Sequence, residues 1–176
     1  PDTRNNTTRH RILDYAVTNN STTIRFHKND MILRVASDAA YLVLFQTRSR
    51  ARGYFFLSTH FDAKSPNPTP NGPVHNLCLT IRIVVASAAE AELGALYLNA
   101  REAVPIRVAL DEMCHPQPLT PLEIDNTTAY SILTSTIRQK LSKAFDMRSH
   151  WLRDRVWQRQ FIVYWSRGKM NLVDYF

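Results

Sequence analysis

Four carboxylates stand at positions where a folded sheet would gather them. Asp38 closes one apolar run, Asp125 closes another, and Asp174 opens the final segment. The fourth comes from Ser87-Ala-Ala-Glu90-Ala-Glu92-Leu93-Gly-Ala-Leu96, which holds two acids two residues apart. Carboxylates brought together repel, and they stay ionised only with a cation among them. Hard divalent ions such as Mg²⁺ take oxygen ligands of this kind. Two such ions, about 3.5–4 Å apart, drive in-line phosphodiester hydrolysis. The structural alternative makes the same residues strand ends and helix caps, where Asp is common. With 15 acids in the chain, position alone leaves that alternative ahead.

The elements that must hold these acids can be read from local pattern. Thr8 to Val17 reads as a short helix, broken by Asn19-Asn20-Ser21. Thr23-Ile24-Arg25-Phe26-His27 alternates like a strand, Lys28-Asn29-Asp30 turns, and Met31 to Ala36 follows as a second strand delivering Ser37-Asp38. Arg52 to Leu57 is a third strand. Residues 58–76 carry Pro66, Pro68, Pro70 and Pro73 and read as an irregular loop inserted within a domain. Leu77 to Ala86 is the next strand. Ser87 then caps a helix reaching about Ala103, with Glu90 at capping-box spacing and Leu93, Leu96, Tyr97 and Ala100 as its apolar stripe. On a helical wheel Glu90 and Glu92 flank that stripe about equally, so periodicity does not choose between them. Leu122 to Asp125 is a short strand, and Asn126 or Thr127 caps a helix with Ala129, Ile132 and Leu133. Gln139 to Gln158 is a longer helix, Phe161 to Trp165 a strand, and Asn171 to Phe176 starts another helix. This order predicts an α/β fold, a mixed sheet with helices on its faces. In such sheets strand ends and adjacent helix starts share one edge, where sites form.

The 176 residues suffice for one domain with a real core, and 44% hydrophobic content favours a globular chain. The net charge of +7 comes from 22 Lys and Arg against 15 Asp and Glu, with a pI near 9.7. That balance favours a polyanionic partner, nucleic acid first and an anionic membrane second. No apolar run approaches the ~18 residues of a membrane span. The start at Pro1 has no signal-peptide core and reads as a piece of a longer chain or a processed product. Cys78 and Cys114 form no CxxC pair, which argues against a disulfide framework and for a reducing compartment.

Five motifs follow one another in register: Ser37-Asp38-Ala39-Ala40-Tyr41, Arg52-Gly-Tyr-Phe-Phe-Leu57, Ser87-Ala-Ala-Glu-Ala-Glu-Leu93, Ile124-Asp125-Asn126-Thr-Thr-Ala129 and Asn171-Leu-Val-Asp174-Tyr-Phe176. Together they resemble the ribonuclease H domain that ends the reverse transcriptase region of copia-type retrotransposon polyproteins. Lys143-Ala-Phe-Asp-Met147-Arg and Trp151-Leu-Arg-Asp-Arg-Val156 are similar to that family's segment before its last strand. The resemblance covers about residues 22–176, and residues 8–20 resemble the tail of the preceding reverse transcriptase connection. It implies a tail or linker over 1–21 and a ribonuclease H-like domain over 22–176. It implies a mixed five-stranded sheet with helices on both faces, and hydrolysis of the RNA strand of RNA–DNA hybrids. The implied cofactor is a pair of Mg²⁺ ions, with Mn²⁺ able to substitute. Asp38 matches the acid that bridges both ions, Glu92 the helix ligand, Asp125 the acid after the fourth strand and Asp174 the late acid beside the water-activating metal. The choice of Glu92 as ligand and Glu90 as cap rests on this resemblance alone. A reverse transcriptase domain in the same polyprotein is an implied partner, and the implied setting is intracellular: cytoplasm, element particle or nucleus.

Two departures bear on rate and product release. Ala40 stands where the family often has a second Asp, and the loop from Ser166 to Met170 has no His. They motivate an alternative, a catalytically silent module that binds nucleic acid or serves as a structural subunit of a larger assembly. Between Arg138 and Arg159 basic residues outnumber acids and Trp151 and Trp157 interleave. Lys140, Lys143, Arg148 and Arg155 are the candidate phosphate contacts there, joined by Arg167 and Lys169 near Asp174. A solvated helix face is the bland reading of the same charges. His60, His75, Cys78, Cys114 and His115 fit no standard zinc spacing.

Overall fold

The computed structural model describes residues 3–62, 69, 71–134, 143–168, 171 and 173, with the backbone alone at 3–9, 12 and 143–146. Strands β1 (Ile32–Leu44), β2 (Arg48–Ser58), β3 (Pro73–Ile81), β4 (Thr120–Ile124) and β5 (Phe161–Trp165) form one mixed sheet, in the order β3-β2-β1-β4-β5. The first three are antiparallel neighbours. Strand β4 lies parallel to β1, and β5 parallel to β4. Parallel neighbours need a crossover. Helix α2 (Ala88–Glu112) carries the chain from β3 to β4, and α3 (Thr127–Thr134) with α4 (Lys143–Trp157) carries it from β4 to β5.

The period-two alternation of the strands sorts their side chains onto two faces. Leu33 and Val35 of β1, Phe55 of β2, Leu122 and Ile124 of β4, and Phe161 and Val163 of β5 point to one face. There they meet Leu93, Leu96 and Ala100 of α2, Ile132 of α3 and Leu152 of α4. Full burial of such a Leu or Phe contributes about 1.5–3 kcal/mol, so this layer fixes how α2 lies across β1 and β2. Among the described residues, α2, α3 and α4 all join this one core. The terminal helix expected over 171–176 falls almost entirely outside the described residues. The second face of the sheet buries a polar network instead. Arg34 Nη2 donates to the Tyr164 hydroxyl at 3.1 Å, which donates to Glu123 Oε2 at 2.9 Å. The Arg34 guanidinium also lies 5.3 Å from the Phe61 ring centre. Burial first, then the Glu123 charge, pushes the Tyr164 phenol far above its usual value against the pull of Arg34, so it remains a donor.

Several elements differ from their sequence expectation. No hairpin joins 23–27 to 31–36, because β1 pairs with β2 through a turn at Phe45–Thr47. Residues 22–31 contain no strand, and Ile24 and Phe26 are exposed, so their alternation buries neither face. That segment is tied instead to the loop after β2, with Gly72 N donating to Arg25 O at 2.9 Å and His27 N to Asn71 Oδ1 at 2.8 Å. Strand β3 ends at Ile81 rather than Ala86, where its pairing with Ser49 of β2 runs out. Helix α2 runs on to Glu112 through Pro105. A proline inside a helix forfeits one backbone bond. The far half is held all the same, because Leu110 is buried and Arg107 donates to the carbonyls of Gln117 and Pro118 and to the Thr120 hydroxyl. Helix α1 (Thr3–Thr18) begins earlier than the sequence indicates, and its described side chains from His10 onward are exposed. Strand β5 occupies the same five residues that its pattern marks. Among the described residues no helix is long and apolar enough to cross a membrane.

Candidate metal centre

The parallel pairing of β1 with β4 covers Val35↔Leu122 and Ala36↔Glu123. Two residues beyond that last pair, on the same side of each strand, stand Asp38 and Asp125. The register therefore brings the two acids level: Asp125 lies just past the carboxyl end of β4, and Asp38 lies midway along β1, which runs on to Leu44 rather than ending at this acid. Sites in α/β sheets form outside the carboxyl ends of parallel strands such as β4.

The third acid comes from the start of α2. Ser87 adopts extended backbone, and its hydroxyl accepts from Glu90 N at 3.2 Å. Glu90 Oε2 accepts from Ala86 N at 2.8 Å, so Glu90 reaches back to the residue before the cap in a variant of the capping box. Glu92 is 6% exposed and points to β1, where its Oε1 accepts from Ala39 N at 3.2 Å. One carboxylate oxygen from each of Asp38, Glu92 and Asp125 lies within 4.8 Å of the others. The helical wheel leaves Glu90 and Glu92 equivalent, and the cap separates them by taking one and leaving the other. Ser87→Ala should cost about 1 kcal/mol and lower the melting temperature by roughly 2–4 °C, readable by thermal denaturation in chelator.

Neighbouring groups hold the three acids in place. Trp165 Nε1 donates to Asp125 O at 2.8 Å, and Ser166 N donates to Ile124 O at 3.0 Å. Gly168 follows, so close that a β-carbon there would lie 3.0 Å from Asp125 Oδ2. Asn99, fully buried and two helical turns after Glu92, donates from Nδ2 to Ser37 Oγ at 2.9 Å and to Arg52 O at 2.8 Å. It thereby ties α2 to β1 and β2 beside Asp38. Arg52 faces Asp38 across the β1–β2 ladder, and its Nη1 lies 3.3 Å from Asp38 Oδ2.

At an effective dielectric of about 20, unit charges this close repel by roughly 3 kcal/mol per pair. Three such carboxylates offer the hard oxygen donors that Mg²⁺ and Mn²⁺ take. The donor set therefore fits a divalent cation. Among the described residues no other group of three His, Cys, Asp or Glu is placed to hold a metal. Cys78 and Cys114 are exposed free thiols.

Not every sequence candidate falls at this edge. Asp174, Lys140 and Lys169 lie outside the described residues, and at Lys143 only the backbone is described. Arg167 is exposed just before Gly168, near Asp125. Arg148 and Arg155 are half-buried in packing roles. The first sits 5.3 Å from the Tyr97 ring centre, and the second 5.1 Å from that of Trp151. Arg155 Nη1 also donates to Gln160 Oε1 at 3.1 Å. The sequence reading missed Arg52 and Asn99. Asn99 carries a readable signal, since a polar residue seven positions after Glu92 returns to the same helix face. Arg52 carries one only once its strand partner is known.

The mixed five-stranded sheet with its helices is that of the ribonuclease H fold. LC11-RNase H1, isolated from compost by a metagenomic approach, matches with a TM-score of 0.54 at 10% identity, covering 80% of this chain and 88% of that one. The same enzyme in complex with an RNA/DNA hybrid matches at 0.54 and 10% identity, over 81% and 91%. RNase H1 from the halophilic archaeon Halobacterium salinarum NRC-1 matches at 0.51 and 14% identity, over 80% and 89%. No protein-family model matches the chain, and no curated protein matches it in sequence. At these identities the likeness establishes the fold, and function has to be argued from the site.

Proposed function

We propose that this chain is a metal-dependent endonuclease that hydrolyses the RNA strand of RNA–DNA hybrids, as the ribonuclease H domain of a copia-type retrotransposon polyprotein does. The observation that carries this reading is the convergence of Asp38, Glu92 and Asp125 within 4.8 Å, where the middle of β1 meets the carboxyl end of β4, in a ribonuclease H fold. The chemistry that a bound pair of Mg²⁺ or Mn²⁺ ions supplies is an activated water and a stabilised 3′ leaving oxygen. Asp38 would hold both ions, Glu92 and Asp125 the leaving-group side, and Asp174 the water side. The burial of Glu92 and the Asn99 tie hold the acids in place, so little reorganisation is needed when charge develops. Arg148, Arg155 and Arg167, with Lys140, Lys143 and Lys169, would meet phosphates along the hybrid. Such contacts position a duplex without reading its sequence, and the 2′-hydroxyl marks the strand to be cut. In this reading residues 1–21 are the tail of a reverse transcriptase connection, and the enzyme works inside the cell alongside that polymerase.

One observation favours a second reading, a silent module in a larger assembly. Arg52 already places a positive charge on Asp38. A single assay decides between the two. The purified chain is incubated with a labelled hybrid and Mg²⁺ or Mn²⁺. The nuclease reading expects RNA fragments from the wild type, none in chelator and none from Asp38→Asn. An RNA strand left equally intact by wild type and Asp38→Asn would sink it and favour the module.

A further inference from the structure

We propose that Arg52 is a resident counter-cation that competes with divalent metal for Asp38 and so sets a low metal affinity at this centre. The inference rests on the metal reading of the acidic cluster. Sheet order places Asp38 on the central strand, with β4 and Asp125 on one side and β2 with Arg52 on the other. The carboxylate is thus addressed from two directions. The guanidinium Nη1 is 3.3 Å from Asp38 Oδ2, and the two side chains are 22% and 10% exposed.

The position of Arg52 is fixed by more than its charge. Asp38 and Arg52 are direct cross-strand partners, so their backbones hold the side chains on the same face. The Arg52 carbonyl accepts from the buried Asn99 Nδ2 at 2.8 Å. This fixes the backbone from which the Arg52 side chain reaches the cluster. Three carboxylates in one place need positive charge, and a guanidinium supplies one unit without coordination geometry. It donates along lone pairs that a bridging cation would otherwise use. A divalent ion entering the centre must share Asp38 with Arg52 or displace it. The cluster is therefore stabilised before metal arrives, and the gain from metal is correspondingly smaller.

The test is Mn²⁺ binding to the intact chain by titration calorimetry, comparing wild type with Arg52→Gln, Arg52→Met and Asp38→Asn. The two neutral variants at position 52 guard against one that fails to fold. Removing the competing charge should tighten Mn²⁺ binding on the order of tenfold. In chelator both variants should melt below the wild type, and saturating Mn²⁺ should raise their melting temperatures by more than it raises the wild type's. Asp38→Asn should bind most weakly. Equal Mn²⁺ affinity in wild type and position-52 variants, with binding still lost in Asp38→Asn, overturns the competition and leaves the metal reading standing. No Mn²⁺ binding by any of the four overturns both. Binding by the position-52 variants alone supports the competition in its strongest form.

Discussion

Glu92→Gln is expected to reduce cleavage of the RNA strand roughly a thousandfold, about 4 kcal/mol in the barrier, while Glu90→Gln leaves it within about twofold. The two acids are two residues apart and have opposite surroundings. Glu90 sits at the exposed start of α2, where Ala86 N donates to its Oε2. A Gln there keeps an acceptor at capping-box position and forfeits only part of the helix-dipole interaction, a few tenths of a kcal/mol. Glu92 is 6% exposed and shares the cluster with Asp38 and Asp125. A Gln there still accepts from Ala39 N but loses the charge that a cation needs. Its effect on stability has the opposite sign from its effect on activity. One of three mutually repelling charges disappears, so in chelator Glu92→Gln should melt at or above the wild type. Cleavage kinetics on a labelled hybrid and thermal melts in chelator read the two effects separately. A Glu90→Gln loss as large as that of Glu92→Gln would break the assignment of one acid to the cap and the other to the centre.

That separation shows what the sequence could and could not carry. The Ser87 cap is a local device of four residues, and the acids after Ala36 and Ile124 sit at the ends of apolar runs, so both are visible in the chain itself. Strand β5 is equally legible, because Phe161–Trp165 is an uninterrupted apolar run between polar segments. The hairpin that builds half of the sheet is not. Its turn places Gln46 and Thr47 at positive φ (56° and 53°), a conformation normally marked by Gly or Asn, so nothing in Phe45-Gln-Thr announces it. Residues 23–30 meanwhile offer a false hairpin, with alternation and a Lys-Asn-Asp turn. Pattern shows that a strand is locally acceptable, while the sheet shows which segment supplies a buried partner. Val35 chose Phe55, both fully buried, over anything in 23–27. Arg52 is hidden for the same reason. Its place beside Asp38 follows from the register, and the register follows from a turn that the sequence does not mark.

Gly53→Ala should destabilise the chain by about 3–4 kcal/mol, lowering the melting temperature by roughly 10 °C, although one methyl is added to a strand. Backbone conformation does not forbid it, since no glycine in the described chain has positive φ. The obstacle is contact. A β-carbon on Gly53 would fall 1.9 Å from Asn99 Oδ1 and 3.0 Å from a ring carbon of Phe55. Asn99 is fully buried, and its Nδ2 is committed to Ser37 Oγ and Arg52 O. It cannot move aside without abandoning both acceptors, and buried polar groups left without partners cost about 1–3 kcal/mol each. The same displacement loosens the tie between α2 and the strands on either side of Asp38, so cleavage should fall by more than the unfolded fraction explains. Asn99→Ala removes the obstacle along with the bonds. The two substitutions should therefore be strongly non-additive, with Gly53→Ala costing less than about 1 kcal/mol in the Asn99→Ala background. Urea unfolding of the four chains in the cycle measures this. Additive losses would mean that Asn99 and Gly53 do not share the space assigned to them, and that the scaffold beside Asp38 is held by something other than this amide.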